Sequence, residues 1–457
     1  MKRFLAIFLL IFSLCLALFF TASKPFVSKG PEAVEGVLDV RGTDFTSQVY
    51  ALSGQWEFYH GQLYTPEDFR QGTAKGGEYI DLPGPWTRMG YPKLSYATYR
   101  LKILTPPGQI YLLHIPEIMS SSLIWINGEE FYGAGTVGGS DADTVTGVRN
   151  ELLAAGSPNG TLELVIQAAN YRMNGSGIFY PILMGRDTVL IHHVFWQRTV
   201  VAAALGGILL IGVYHLFLYF FRRRERLYLT FSLICLTTVL RLGMESNALV
   251  QYFLPGGIGF VLSRVFLLLF TLHSLCICLF MVQAFSIRLG RFLRVLYLVC
   301  FILPMAGICV LPYAAAVNGM FMVMIPYVIS IFLAVRTGNI GRDPYRLLYL
   351  CSMVTYLFYG PLTKTVFEGD MFVPGIVPNM FLILSQCVML SRSYAQAHEE
   401  AERLNANLEE LVKQRTAQLN HANEQLEASQ AALQEMISNI SHDLKTPLTV
   451  LNNYLEL

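Results

Sequence analysis

Seven apolar runs in the second half of the chain limit what it can fold into more than any other feature. They lie near Val200–Phe221, Leu227–Leu242, Ile258–Val282, Val295–Leu311, Val317–Val335, Leu347–Thr363 and Ile376–Leu390. A helix needs roughly 17 to 25 mostly apolar residues to cross the hydrocarbon core of a bilayer. Several of these runs stand near the lower limit. Backbone in lipid has to satisfy its own hydrogen bonds, which favours helices for such runs. The expectation is a multi-domain membrane protein whose residues 194–391 form a seven-helix transmembrane bundle in contact with membrane lipid. Composition points the same way, since the 457 residues are 53% hydrophobic and only 14% charged, too apolar for ordinary soluble domains.

Loop charge sets the expected orientation. FRRRER after the first run, IRLGRFLR after the third and RTGNIGRDPYR after the fifth are basic, while ESNALVQYFLPGG, PYAAA and KTVFEGDMFVPGIVPN carry almost no Lys or Arg. Basic loops stay in the cytoplasm. The chain start, MKRFLAIFLLIFSLCLALFFTAS, has Lys2 and Arg3, an apolar run and small residues at Thr21 to Ser23. Those are the parts of a secretory leader, so residues 1–23 are a signal peptide or an N-terminal membrane anchor. Both signals place the N-terminal domain outside the cytoplasm and the C-terminus inside, in a multi-pass protein of the cell membrane.

A net charge of +1 argues against a polyanion binder, so no nucleic acid is expected. All eight cysteines fall in apolar runs and none lies between Lys24 and His193, so that stretch folds without disulfides. Cys276 and Cys278 form a C-x-C inside a membrane run with no His or acidic partner nearby. They read as small apolar fillers, and no metal site is expected. Ionisable residues at membrane depth are costly and usually face the bundle interior or a polar cavity. Arg241, with Glu245 one turn on, reads as a snorkelling or locally ion-paired side chain. Arg264 is either an interfacial anchor or an internal conformational switch, and His273 lies within the third run.

Residues 24–193 have a different pattern, with short alternating runs such as YATYRLKIL, QIYLLHI, SLIWINGEEFYGAG and TLELVIQAANY between Gly, Pro and Asn. That is an all-β signature. Asn127-Gly128 stands between LIWI and EEFY, where a type I′ hairpin needs two residues tolerant of positive φ. A two-sheet sandwich or jelly roll is expected. Trp56, Trp86 and Trp125 sit in strands or beside a Pro-Gly turn, and read as core residues rather than sugar-stacking platforms. No pair of carboxylates stands out as a general acid and base, so glycoside hydrolysis is not supported.

The stretches LSGQWEFYHG, IDLPGPW, YATYRLKI, LIWINGEEFYGAG and NYRMNGSGIFYPILMG resemble the galactose-binding-like jelly roll found at the N-terminus of family 2 glycoside hydrolases. The resemblance implies a jelly-roll ectodomain and a small-molecule or carbohydrate ligand. It does not identify that ligand, because in the hydrolases this domain is largely a scaffold.

The segment from about Ser391 to Thr446 has no Gly or Pro and is rich in Ala, Glu, Gln and Leu, so one long helix is expected. Leu404 and Leu411 are seven apart, and Leu419, Leu426, Leu433 and Ile440 also step by seven. That is coiled-coil spacing, assigned to residues 392–435 and implying a homodimer. Leu408 to Leu419 is an eleven-residue step across Lys413, Gln414 and Arg415, a four-residue stutter that locally unwinds a supercoil. It is either a passive dimer spacer or the place where a signalling helix changes packing.

At the tail stands SNISHDLKTPLTV. With Leu419 and Ile440 at a positions, His442 falls two residues past the seam and faces solvent, where an imidazole can act as a nucleophile. Attack on a γ-phosphate needs a neutral ring in the right tautomer, and Asp443 is the candidate to hold the other ring N–H. Thr446, one turn on, can orient a water for removing the phosphate. Pro447 removes a helix hydrogen bond and should bend the helix just beyond the His.

ISHDLKTPLTVL resembles the H-box of sensor histidine kinases, matched at Ser441, His442, Asp443, Leu444, Lys445, Thr446, Pro447 and Leu448. By that resemblance His442 is the phosphoacceptor, Asp443 assists phosphoryl transfer and Thr446 serves the phosphatase reaction. Residues 436–457 then begin a dimerisation and phosphoacceptor domain. The whole arrangement resembles the bacterial seven-transmembrane receptors with diverse intracellular signalling modules. Together these imply a transmembrane sensor histidine kinase of a two-component system, with a response regulator as partner. No ATP- and Mg²⁺-binding segment is recognisable in these residues, so the chain reads as truncated after the H-box. ATP and Mg²⁺ are expected only with a separate catalytic domain, and the 457 residues alone are expected to be inactive. The alternative is a non-catalytic receptor or mixed-dimer regulator lacking its own ATP-binding domain.

Overall fold

A computed structural model describes residues 27–28, 30–147, 149–173, 175–221, 225–245, 259–336, 344–366 and 372–455. The leader at 1–23, half of the FRRRER loop, most of the RTGNIGRDPYR loop and nearly all of ESNALVQYFLPGG lie outside the described residues. Contacts divide the chain into two compact units, Met1–Met389 and Leu390–Leu457.

The N-terminal domain is all-β, with strands β1 (Val27–Ser28), β2 (Val37–Asp39), β3 (Val49–Ala51), β4 (Gly54–His60), β5 (Glu78–Leu82), β6 (Ser95–Leu104), β7 (Gln109–Ile115), β8 (Ser121–Ile126), β9 (Glu129–Thr136), β10 (Val145–Thr146), β11 (Glu151–Ser157), β12 (Thr161–Asn170) and β13 (Leu183–Gly185). A short helix, α1 (Pro66–Arg70), comes after β4. One sheet has the order β1-β3-β13-β7-β11. The other runs β10-β9-β8-β12-β6-β4-β5, with β2 joined to β6.

Period-two alternation builds the core. In the β6–β12 pair, Tyr99 lies opposite Ile166, Leu101 opposite Leu164 and Ile103 opposite Leu162. All six are buried against Tyr111, Leu113 and Ile115 of the other sheet. Residues two apart share a face, so alternation alone delivers them to one side. Asn127 and Gly128 have φ of 53° and 86°, the pair of positive values that a type I′ turn requires. The Asn127 side chain fastens the turn, donating to the Gly156 carbonyl at 2.8 Å and accepting from the Glu163 N–H at 2.9 Å.

Trp56, Trp86 and Trp125 are all buried. Trp56 and Trp86 are completely inaccessible and donate their indole N–H groups to the carbonyls of Leu52 and Pro92. A buried indole retains a partner for its polar edge in this way.

The helices are α2 (Asp187–Phe221), α3 (Arg226–Glu245), α4 (Gly259–Ala284), α5 (Arg291–Val310), α6 (Tyr313–Gly319), α7 (Phe321–Arg336), α8 (Pro344–Val366) and α9 (Phe372–Leu455). Among the described residues, six helical stretches are long and apolar enough to cross a membrane. The expected run Leu347–Thr363 lies inside α8, which is not among those six.

Helix α2 begins at Asp187, well ahead of the apolar run at Val200. Its first turns are fixed by packing rather than lipid: Leu190 and Val194 are buried against Val49 of β3 and Leu183 of β13. The last helix, α9, joins the expected seventh span to the polar tail as 84 continuous residues. Helix geometry continues through Pro447, the expected site of a bend, as far as Leu455.

Candidate functional site

His442 and Asp443 stand on α9 with their side chains 84% exposed, and His442 Nδ1 lies 3.6 Å from Asp443 Oδ1. Adjacent helix positions are about 100° apart, so this approach comes from side-chain reach. The separation is longer than a direct hydrogen bond but places the carboxylate beside Nδ1 and away from the far ring nitrogen. Thr446 Oγ1 donates to the His442 carbonyl at 3.4 Å, putting its hydroxyl on the same helix face. Leu444 and Leu448 are exposed as well, as are the seam residues Leu404, Leu408, Leu411, Leu419, Leu426, Leu433 and Ile440. Burying a Leu contributes roughly 1.5–3 kcal/mol, so this stripe offers a strong driving force to whatever covers it.

The second concentration of polar groups lies inside the helical bundle. Arg241 is 6% exposed and donates from Nη2 to Asn379 Oδ1 at 3.0 Å. It therefore points into the bundle and does not snorkel. The Glu245 side chain lies outside the described set. His273 is fully buried on α4, with Nδ1 3.0 Å from Thr237 Oγ1 on α3. Ser352 of α8 and Ser385 of α9 share a hydrogen bond at 2.7 Å, and Gln386 donates to the Tyr349 hydroxyl at 3.4 Å. Tyr297 of α5 bonds Ser330 of α7 at 2.8 Å.

Arg264 has a third role. Its guanidinium donates to the Ile308 carbonyl and, at 2.9 Å, to the Leu311 carbonyl. Both lie at the C-terminal end of α5, where carbonyls lack helical partners and the dipole is negative. Arg264 is thus a C-terminal cap on α5. Cys276 and Cys278 are buried in α4, as expected of apolar fillers.

Sequence reasoning singled out Arg241, Arg264 and His273 but not Asn379, Gln386, Ser352 or Ser385. Asn379 and Gln386 could have been found, because they stand seven apart within an apolar run and so share a helix face. Single serines in such runs give no comparable signal.

Residues 197–393 match the model of a family described as 7TM diverse intracellular signalling. The matched stretch holds the apolar helices, and the match indicates a transmembrane receptor in intracellular signalling. No curated protein matches the chain.

Among solved structures, a GH2 beta-galacturonidase from Eisenbergiella tayi bound to glycerol is 14% identical, over 32% of this chain and 26% of that one, with a TM-score of 0.22. An FMN-binding beta-glucuronidase from Facaelibacterium prausnitzii L2-6 is 15% identical over 30% of this chain and 22% of that one, at a TM-score of 0.20. Bacteroides uniformis beta-glucuronidase 2 bound covalently to cyclophellitol-6-carboxylate aziridine is 17% identical over 30% and 17%, at 0.22. The chain spans about a quarter or less of each.

Proposed function

We propose that this chain is the sensing and phosphoacceptor part of a transmembrane sensor histidine kinase of a two-component system. A galactose-binding-like ectodomain receives an extracytoplasmic signal, and a homodimer formed along α9 passes it to His442. His442 then accepts a phosphoryl group and hands it to an Asp on a response regulator.

The observation that carries this reading is the exposed His442–Asp443 pair within ISHDLKTPLTVL, on the same continuous helix as the buried Asn379 and Gln386. Asp443 beside Nδ1 favours the tautomer whose far nitrogen, Nε2, keeps its lone pair for phosphorus. An N–P bond forms there as the bond from the γ-phosphorus to the bridging oxygen of ATP breaks and ADP leaves. Thr446 places a hydroxyl one turn on, within reach of a water that would reverse the modification.

The test supplies a histidine-kinase ATP-binding domain, ATP and Mg²⁺ to the full chain in detergent. Acid-labile label should appear at His442, vanish in His442→Gln and persist in His421→Gln. Asp443→Asn should slow labelling by on the order of 100-fold, as expected for loss of a proton-handling group. Thr446→Ala should leave labelling intact and slow its removal. Labelling that survives His442→Gln would refute the assignment.

A further inference from the structure

The contact between α8 and α9 is one hydrogen short. Ser352 Oγ lies 2.7 Å from the Tyr349 carbonyl of its own helix, and Ser385 Oγ lies 2.7 Å from the Leu382 carbonyl of its own. The two hydroxyl oxygens are themselves 2.7 Å apart. Each of these three contacts has hydrogen-bond length. Two hydroxyls bring only two hydrogens, so every arrangement leaves one contact as oxygen against oxygen. Both serines are fully buried.

A donor stands beside them. Gln386 follows Ser385 on α9 and is also fully buried, and its Nε2 donates to the Tyr349 hydroxyl at 3.4 Å. No protein group among the described residues hydrogen-bonds to Oε1. Turning the amide over exchanges its two ends and still leaves one of them unmet. Such a group forfeits the hydrogen bonds it has in water.

Helix α8 is the fixed side of this contact. The Tyr349 ring packs against Phe280 of α4 and Phe285 just beyond it, with centroids 5.5 and 6.2 Å away. Helix α9 is the freer side, because Pro378, two turns ahead of Ser385, brings no N–H to the helix ladder.

We propose that the α8–α9 contact is a two-position joint, and that α9 turns about its axis between the positions. In one, Ser352 and Ser385 touch as described. In the other, Gln386 takes the place of Ser385 against α8. Nε2 then donates to Ser352 Oγ, the Tyr349 hydroxyl donates to Oε1, and each serine gives its hydrogen to its own helix carbonyl. Every group named has a partner there. The first position keeps the closer approach, since small residues let helices pack tightly in lipid. Hydrogen bonding favours one position and close packing the other, which is the balance a bistable element needs. Adjacent helix positions are about 100° apart, so roughly a quarter-turn exchanges them. Helix α9 is continuous through His442, so this turn is regulation of that site and in that respect rests on the phosphotransfer reading.

The test uses the full chain in lipid nanodiscs, with ¹³C in the glutamine side-chain carbonyls. Gln386→Met removes one signal, which assigns it. Ser385→Ala abolishes the serine–serine contact and should move the Gln386 signal toward the hydrogen-bonded range. Tyr349→Phe keeps the ring and its packing, and should cancel that move when combined with Ser385→Ala. With an ATP-binding domain, ATP and Mg²⁺ supplied, Gln386→Met and Ser385→Ala favour opposite positions. They should shift the rate of His442 labelling about threefold or more in opposite directions, the scale of coupling seen when a connecting residue is changed. A contact that only holds the helices together would shift both the same way.

A Gln386 signal that is identical in the parent and in Ser385→Ala overturns the joint. So do labelling rates that shift in the same direction or stay unchanged in both variants. A parent that takes no label counts against the phosphotransfer reading instead, and the carbonyl signals then decide the joint by themselves. Should Gln386→Met not fold, Ser385→Ala with and without Tyr349→Phe still decides the matter.

Discussion

His114 sits on β7 opposite Leu183 of β13 and Leu152 of β11, and burial holds its imidazole down to about 4, with Arg198 and His193 adding like charge. An unfolded chain binds a proton there near pH 6.5, so the folded state resists a proton that the unfolded state accepts. Stability is therefore complete above about pH 6.5 and is lost as pH falls toward about 4. At 1.36 kcal/mol per unit the loss is at most about 3 kcal/mol, and the half-buried position of the ring reduces it further. His60 is also held down, mainly by burial, and acts in the same direction. Asp44 and Asp68, whose carboxyls are lowered chiefly by hydrogen bonds from Thr46 and Thr65, lose their contribution only in more acid solution. The unfolding midpoint of the full chain should thus drop between pH 6.5 and 4.5, and His114→Gln should flatten that drop beyond what His60→Gln does. Superimposable curves for His114→Gln and the parent would remove His114 from the account.

Helix α9 carries one apolar stripe through two environments. Ile376, Ile383, Leu390, Ala397, Leu404 and Leu411 step by seven without interruption. The first three are buried, while Leu404 and Leu411 are more than half exposed. The next seam residue in register after Leu411 would be Gln418, but the apolar series resumes at Leu419, so four extra residues separate Leu408 from the second block. In the proposed dimer that stutter separates two phases of the helix and can absorb a rotation delivered from the bundle. Deleting Gln414 to Ala417 brings Leu408 and Leu419 seven apart and leaves the downstream face in place. The deleted chain should still dimerise, measured by sedimentation. With an ATP-binding domain supplied, labelling of His442 should be locked high or low and no longer respond to stimulus. An unchanged response would make the stutter a passive spacer.

Much at this scale is legible in the sequence for local reasons. Asn127-Gly128 specifies its turn through two backbone angles, and β6 and β12 announce themselves by alternation. The placement of β13 between β3 and β7 comes from residues more than sixty positions apart, and nothing local encodes it. The early start of α2 was hidden similarly, because Asp187, His192, His193, Gln197 and Arg198 break the apolar run around Leu190 and Val194, whose packing against Val49 and Leu183 is not local. In the tail, His442, Asp443 and Thr446 were visible as a pattern. In the bundle, the Ser352–Ser385 bond was not, because a serine in an apolar run reads the same whether or not it has a partner.

At the scale of the whole molecule, the apolar helices and the match over residues 197–393 make this a membrane protein, and orientation is the next property to establish. The basic loops after the first, third and fifth runs favour the cytoplasm by the positive-inside rule, and the leader favours export of the domain behind it. These signals are physically independent, one acting on short loops beside each helix and the other on the first residues made. Both predict a β-sandwich outside the cytoplasm. The exposed aromatics Phe195 and Trp196, early in α2, fit a helix entering the interface there, where amphipathic rings settle at headgroup level. The same predicted orientation would bring His442 to the side where ATP and response regulators are found, as the proposed phosphotransfer requires. A reporter active only outside the cytoplasm should therefore be active when fused after Arg186 and silent when fused after Arg224, with a cytoplasmic reporter giving the reverse. Equal activity at the two positions would mean that α2 does not cross. Reversed activity would put the sandwich in the cytoplasm and leave His442 with no phosphate donor.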